Sequence, residues 1–406
     1  MDITNKLKAI GDAIREKTGK TDPMQLVDMP AEIQGISTGG GAVASVSPKE
    51  VNFYDYDGTC LHAYTVEEAQ ALTELPPLPT HDGLICQGWN YNLETIKGYY
   101  TPVTVGANYI TDDGKTRLYI TLHDGRTSPR LGFRLKGTAT IDWGDGTEAD
   151  TITGTDIYTL IWTSPHDYAN PGDYVISIDV SGEMNFTSSG DTVSYILTGN
   201  NDTSTKSTPY ANSIKRCEFG NGVKLIAMYA FNGCSSLESI TIPNSITTIQ
   251  NKAFQKCYSL KSISIPNSIT TIQNEIFSKC YTLESISIPN SITSISVSML
   301  SNCNSLSNIS IPNSVTSIGS NGFFNCNSLS NVIIPNSVTS IGSSAFSQCY
   351  GVRYYDFTTF TSVPTLTSGA FSGIASDCQM LIPAALYDEW STATNWTAYA
   401  SYMVAV

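Results

Sequence analysis

Six cysteines recur every 23 residues, at Cys234, Cys257, Cys280, Cys303, Cys326 and Cys349. Five prolines keep the same interval, at Pro243, Pro266, Pro289, Pro312 and Pro335. A fixed period of this length means that one supersecondary unit is repeated and stacked, because a single unit has no neighbour to cover its apolar face. The chain is therefore constrained to a solenoid over this stretch. A solenoid presents an extended surface, which argues for binding and against a buried catalytic cleft.

The unit from Leu260 to Cys280 shows the physics of one coil. Leu260, Ile263 and Ile265 are spaced so that the two isoleucines share one face of a short strand. Pro266 ends that strand, since it has no N–H for a ladder. Asn267-Ser268 supplies a polar corner whose side chains can bond the turning backbone. Ile269 and Ile272 point inward again, and Ile276, Phe277 and Cys280 close a return arm. Burying each such side chain is worth roughly 1.5–3 kcal/mol, but only when coils on both sides cover it.

The repeated cysteine has no partner two to four residues away, as a zinc site would need. Disulfides between coils need Cβ atoms about 3.8 Å apart, closer than stacked strands bring them. The ladder is expected to be of free, buried thiols acting as small hydrophobes, suited to a reducing cytoplasm. The outward strand positions read Ser239, Thr241, Ser262, Ser264, Ser285, Ser287, Asn308, Ser310, Asn331 and Ile333. They form the candidate binding face: a nearly uncharged strip of hydroxyls and amides, either solvated or presented to a glycan or protein. Tyr258, Tyr281 and Tyr350 follow the cysteines and fall on another edge.

The block from about Ala211 to Gly373, typified by Ile334-Pro-Asn-Ser-Val-Thr-Ser-Ile-Gly-Ser-Ser-Ala-Phe-Ser-Gln-Cys349, resembles the BspA-like leucine-rich repeat family. One coil has Met299-Leu300 in place of Ala-Phe. The resemblance implies a surface adhesin or interaction protein and leaves the ligand open.

Charged residues make up only 14% of the 406, and the net charge is −14 with a pI near 4.6. That balance disfavours nucleic acid and anionic membranes as partners. No apolar run approaches membrane-spanning length, and Met1-Asp-Ile-Thr-Asn-Lys lacks a secretory pattern. Membrane insertion and secretion are not expected.

Residues 1–36 read as a helical attachment segment, followed by a Gly-rich linker over 37–48. Ile3, Leu7, Ile10 and Ile14 make a short a/d seam that either packs on the segment Met24 to Ile33 or serves a docking or trimeric N-terminus. Leu7-Lys-Ala-Ile-Gly-Asp-Ala-Ile-Arg-Glu-Lys-Thr-Gly19 with Met29-Pro-Ala-Glu-Ile33 resembles a module at the N-terminus of tail-associated proteins of phages and prophages of gut bacteria. That resemblance implies other virion tail proteins as partners through the N-terminus, and a homo-oligomer.

Residues 49–104 are expected to form a small mixed module. Phe53-Tyr-Asp-Tyr-Asp-Gly-Thr59 contains the Asp-x-Asp string used by phosphatases of the haloacid-dehalogenase type, with Asp55 as nucleophile and Asp57 beside it. The flanks are not a buried strand opening a βαβ series, so an Asp-Gly turn between strands is the preferred reading. Val51 to Ile96 again resembles modules of phage tail and gut surface proteins. Residues 105–195 alternate as β-strands, and Ile141-Asp-Trp-Gly-Asp-Gly-Thr147 with His166-Asp-Tyr168 resembles a PKD-type immunoglobulin-like sandwich. A calcium site at Asp142 and Asp145 would need more oxygen ligands than this string offers.

Repeats are assigned to 196–376 and a C-terminal cap to 377–406, with Trp390, Trp396 and Tyr399 covering the open core. The expected fold is multidomain and mainly β: helical segment, small mixed module, sandwich, leucine-rich solenoid and cap. No catalytic residues, metal or cofactor are assigned, and the chain is not expected to be an enzyme. The expected function is a phage tail-tip or tail-fibre protein that attaches to a host-surface glycan or protein through the solenoid. Its place is then the virion tail, after synthesis in the host cytoplasm. The alternative is a bacterial cell-surface adhesin or interaction module without a phage role.

Overall fold

The computed structural model describes residues 51–97, 103–125, 127–186, 196–199 and 210–406. The helical seam of Ile3, Leu7, Ile10 and Ile14 and the linker 37–48 lie outside the described residues.

Each coil of the solenoid places two short strands in parallel ladders. The first ladder holds Ser239–Thr241, Ser262–Ser264, Ser285–Ser287, Asn331–Ile333, Tyr354–Asp356, Gln379–Ile382 and Met403–Ala405. The second runs from Val223–Ile226 through Thr248–Ile249 and Thr271–Ile272 to Thr365–Leu366. Register follows the sequence period, with Ser262 opposite Ser285 and Ile263 opposite Ile286. Ile263, Ile286, Ile265 and Ile288 are buried, as alternation requires. Asn308 to Ser310, expected as a further strand, interrupts the first ladder and has no regular pairing.

The Pro-Asn-Ser corner has a mechanism that the sequence only hints at. Ile269 N–H donates to Pro266 O (3.0 Å), closing a turn. The serine hydroxyl then donates to the preceding coil: Ser268 to Ile246 O (2.7 Å), Ser291 to Ile269 O (2.5 Å), Ser314 to Ile292 O (2.6 Å). Serine at this place stitches coil to coil.

The return arm holds a feature that sequence reading missed. Two residues per coil take a left-handed backbone, among them Lys252 and Lys256 (φ 59° and 63°) and Glu275 and Lys279 (φ 58° and 67°). The conformation aims alternate N–H groups at the next coil, as in Lys252 to Asn274 O (3.0 Å), Phe254 to Ile276 O (3.0 Å) and Lys256 to Ser278 O (2.9 Å). For a non-glycine residue this backbone costs about 1–2 kcal/mol, offset by the bonds it makes. Gly233, Gly369 and Gly373 fill the matching positions in the first and last arms, also at positive φ.

Phe231, Phe254 and Phe277 stack down the arm at 5.4 and 5.6 Å between centroids. Leu300 is buried at the next position, so the Met299-Leu300 replacement keeps the core filled. The cysteines lie beneath this stack, fully shielded. From Cys257 onward each thiol donates to a carbonyl in the previous coil: Cys257 to Phe231 O (3.2 Å), Cys280 to Phe254 O (3.2 Å), Cys349 to Phe323 O (3.1 Å). Burial pushes the thiols up, Cys280 and Cys349 to about 12. A small side chain with one weak donor fits this space, which explains cysteine better than bulk alone.

The solenoid's first end is closed by an antiparallel sheet. β5 (Thr116–Leu122), β6 (Pro129–Asp142), β7 (Asp150–Trp162) and β8 (Gly172–Phe186) are paired in the order β5-β8-β6-β7. β5 pairs antiparallel with Ile214–Glu218, which in turn pairs parallel with Ser239–Thr241. β8 pairs parallel with Val223–Ile226, placing Met184 opposite Val223 and Phe186 opposite Ile226. Leu118, Ile120, Phe133, Ile176 and Phe219 belong to the same apolar core as the coils. Within the stretch expected as a separate domain over 105–195, the strands between 116 and 186 thus pair into the solenoid as its first cap, while its first residues belong to the small module's strand Val103–Thr111. Trp143 is buried in the cap, and Tyr168 OH donates to Trp143 O (2.8 Å).

The other end is closed by Trp390 and Trp396, both fully buried among Phe357, Phe360, Phe371 and Tyr399. Trp396 Nε1 donates to Pro364 O (2.8 Å). The expected cap residues are where they should be, but Gln379–Ile382 and Met403–Ala405 continue the first ladder, so repeats and cap interleave across the expected boundary at 376.

The small module is a four-stranded sheet in the order β2-β1-β4-β3, from β1 (Val51–Tyr54), β2 (Cys60–Tyr64), β3 (Leu84–Trp89) and β4 (Val103–Thr111). Two short helices, α1 (Val66–Gln70) and α2 (Leu93–Lys97), cover it, the first opened by a capping box between Thr65 and Glu68. β4 pairs with β1 and β3, which moves the module's end from the expected residue 104 to Thr111.

Candidate functional site

β4 is buried along its whole length although it is no hydrophobic run. Val103, Val105, Ala107 and Tyr109 face the module's own core with Phe53 and Trp89. The alternate residues face the solenoid, where β4 lies across Ser239–Thr241, Ser262–Ser264 and Ser285–Ser287. Ser287 Oγ donates to Thr104 O (2.9 Å), Ser264 Oγ to Asn108 Oδ1 (2.8 Å) and Ser262 Oγ to Tyr56 O (3.3 Å). Asn90 donates to Ser287, Tyr91 OH to Ile288 O, and Asn267 to Asn90 O. Asn244 N–H reaches Gln87 Oε1 at 2.7 Å. Gly106 permits the approach, because a Cβ there would run into the Ser264 side chain.

The candidate face therefore divides. Thr241, Ser262, Ser264 and Ser287 are buried and Ser239 and Ser285 half-buried in the part that the module covers. Beyond it Asn308 is exposed, Asn331 and Ile333 are half-buried, and Ser310 is 5% exposed. Ser310 Oγ and Asn331 Oδ1 are shielded from water and have no hydrogen-bond partner, as is Thr241 Oγ1 at the covered end.

The Asp-x-Asp string is the turn between β1 and β2. Asp55 is buried; its carboxylate accepts Tyr109 OH (2.6 Å) and Tyr56 N–H (2.8 Å) and lies 2.7 Å from His81 Nε2. Burial, then the bond to Asp55, pushes the Tyr109 phenol far above its ordinary range. Asp57 is exposed, and its Oδ1 accepts Thr59 N–H at 2.9 Å. Asp55 is thus spent on internal partners that fix the loop, a role the sequence string did not announce. Arg216 stacks between the rings of Tyr56 (5.1 Å) and Tyr119 (4.8 Å), joining module and cap.

The second Asp-Gly loop is likewise internally bonded. Asp142 Oδ1 accepts Gly144 N–H (2.9 Å), and Asp145 accepts Thr147 N–H (3.1 Å) and lies 2.8 Å from His166 Nε2. His166 stacks on Trp143 at 4.6 Å. Burial raises the Asp145 carboxyl, but the bonds from Thr147 and His166 outweigh it and bring it to about 2. Among the described residues no cluster of three or more His, Cys, Asp or Glu has metal-binding proximity.

Tyr258 and Tyr281 stack on each other at 5.0 Å on an exposed edge, away from the strip. A shallow cleft of about 540 Å³ between Pro76, Pro77, Trp89, Tyr91 and Asn267 marks the seam of module and solenoid.

Residues 205–313 and 299–388 match the BspA type leucine-rich repeat region in six copies. A leucine-rich repeat protein from Bacteroides ovatus is 24% identical over 42% of this chain and 56% of its own, with a TM-score of 0.31. A leucine-rich cell surface protein from Faecalibacterium prausnitzii is 21% identical over 38% and 62%, TM-score 0.23. The leucine-rich repeat protein of T. pallidum is 26% identical over 40% and 63%, TM-score 0.26. This chain thus spans little more than half of the first of these proteins. No curated protein matches it. The two ladders, the Pro-Asn-Ser corners and the cysteine rungs therefore belong to a known repeat: residues 205–388 are leucine-rich repeats of the BspA type.

Proposed function

We propose that the chain is an attachment protein that binds a partner on a host-cell surface through the uncovered part of the first ladder. The observation that carries this reading is the strip of uncharged residues Asn308, Ser310, Asn331 and Ile333, beyond the coils that the described residues of the module cross on a BspA-type repeat. Repeats of this type generally serve adhesion or protein interaction, not catalysis. The N-terminal resemblance supports a phage or prophage tail as the site of attachment, with other tail proteins as partners and the virion tail as location. In that setting the PKD-like cap and the small module act as spacer and brace, and several copies on one particle would combine weak contacts.

Purified virions should contain the chain, detectable by mass spectrometry, and the full chain should bind cells of a susceptible host. Absence from virions would remove the phage setting. Host binding lost when Gly106 is changed, but kept when Asn308 is changed, would move the contact off the strip. The repeats themselves favour a second reading, a bacterial surface adhesin, for which the chain should be found on the cell surface and not on particles.

A further inference from the structure

Ser264 and Ser287 pair in register, and Ser310 holds the matching position of the next coil, 23 residues on, where the ladder is interrupted. The first two hydroxyls each bond the chain's own β4: Ser264 to Asn108 Oδ1 and Ser287 to Thr104 O. The third is 5% exposed and bonds nothing, and Asn331 Oδ1 one coil further is equally without a partner. An unpaired buried polar atom destabilises the fold, so the protein carries a penalty here that an incoming group can relieve. Thr241 shares the defect, but it lies on a coil that β4 already crosses. Ser310 lies beside exposed Asn308 and half-buried Asn331 and Ile333.

We infer that Asn308, Ser310, Asn331 and Ile333 form a docking surface for an extended, uncharged polypeptide segment of a partner protein, crossing the ladder as β4 crosses the preceding coils. This rests on the reading of the solenoid as a binding surface and names the partner's class. Three observations select a polypeptide. The strip is continuous with an interface already occupied by a β-strand. What the equivalent serines donate to there is a backbone carbonyl and a side-chain amide oxygen. The occupied strand also shows the shape required, a small residue such as Gly106 where the backbone comes nearest to a rung. The four residues carry no charge themselves, so a charged segment would lose its hydration over them, and Asp356, opposite Ile333 on the next rung, would repel an anionic one.

The test pans a random peptide library against the full chain and against Asn308→Arg and Ser310→Ala. Uncharged peptides should be enriched on the wild type, and each substitution should weaken them roughly tenfold, the factor that corresponds to about 1.4 kcal/mol. Ser310→Ala should at the same time keep or raise the thermal midpoint, because it deletes an unpaired hydroxyl, whereas Ser264→Ala and Ser287→Ala should lower it. Enrichment of no peptide that distinguishes wild type from Asn308→Arg overturns the inference. So does a fall in midpoint with Ser310→Ala equal to that of Ser264→Ala, since the hydroxyl would then be in use. Capture of neutral oligosaccharides from a glycan array, lost in both variants, overturns it in favour of a glycan strip. The peptide arm uses no host cell: peptides bound at the strip by a chain that binds no host would leave this inference standing and sink host attachment.

Discussion

The solenoid meets the rest of the chain at two joints made in different ways. At its first end β5 and β8 enter the ladders by backbone hydrogen bonds, and Leu118, Ile176 and Phe219 sit in the core of the coils. On its outer face β4 lies across the strands, joined by serine hydroxyls, amides and one glycine. The first joint shares an apolar core and should fold and unfold with the coils. The second exchanges water for neutral hydrogen bonds worth about 0.5–1.5 kcal/mol each, so it should part without unfolding either side. A solenoid needs its ends closed, whereas its face can be covered or free.

The largest effect is expected from emptying the first joint. Phe219→Ala should cost about 3–5 kcal/mol, read in urea as a lower midpoint for cap and coils together. Separate transitions for the two would break the contrast. Next comes Gly106→Val, which puts a side chain against Ser264. It should release the module, read as faster amide exchange over Val103–Thr111, with the coils' melting temperature nearly unchanged. A fall in coil stability as large as that of Phe219→Ala would make the second joint obligatory too.

Acid should act on the first joint's cap. The Asp145 carboxyl is depressed to about 2 from 3.8, so the stability it lends is present above 3.8 and is lost as the pH falls toward 2. Asp145→Asn should flatten that part of the acid-unfolding curve; an unchanged curve would remove Asp145 from the account. Among thiols, native labelling should modify exposed Cys60 first and half-buried Cys86 more slowly, leaving the ladder cysteines until denaturant is added. The smallest effect is expected within the coils. Lys279→Gly relieves a left-handed strain of about 1–2 kcal/mol, less the entropy that glycine loses, and should stabilise slightly, against a loss for Lys279→Val.

Much of this was legible in the sequence, and the limit has a physical shape. The period specified the coil, the inward isoleucines and the buried thiols, because each is fixed by the same neighbours one repeat away, and the aromatic cap was legible where the period stops and the open core needs a cover. The left-handed pairs such as Lys252 and Lys256 were not legible, since they are paid for by inter-coil hydrogen bonds and not by glycine. Nor was the cap's fusion to the ladder: alternation at Leu118, Ile120 and Leu122 announces a strand but not its partner. The binding face was read as one strip because Ser262, Ser264, Ser285 and Ser287 look like solvated hydroxyls. Only the polar side of β4, with Thr104, Gly106 and Asn108 set between core residues, hinted that a second surface would claim them.

The most direct test of this division of the face is a double-cysteine chain, Asn108→Cys with Ser264→Cys, whose native side chains are hydrogen-bonded at 2.8 Å. Under mild oxidation the account predicts a disulfide between positions 108 and 264 in nearly every molecule, identified by peptide mass, with the coils' melting temperature preserved. Both thiols remaining free, or pairing elsewhere, would show that the module does not rest on the ladder and that the whole strip from Ser239 to Ile333 stands open.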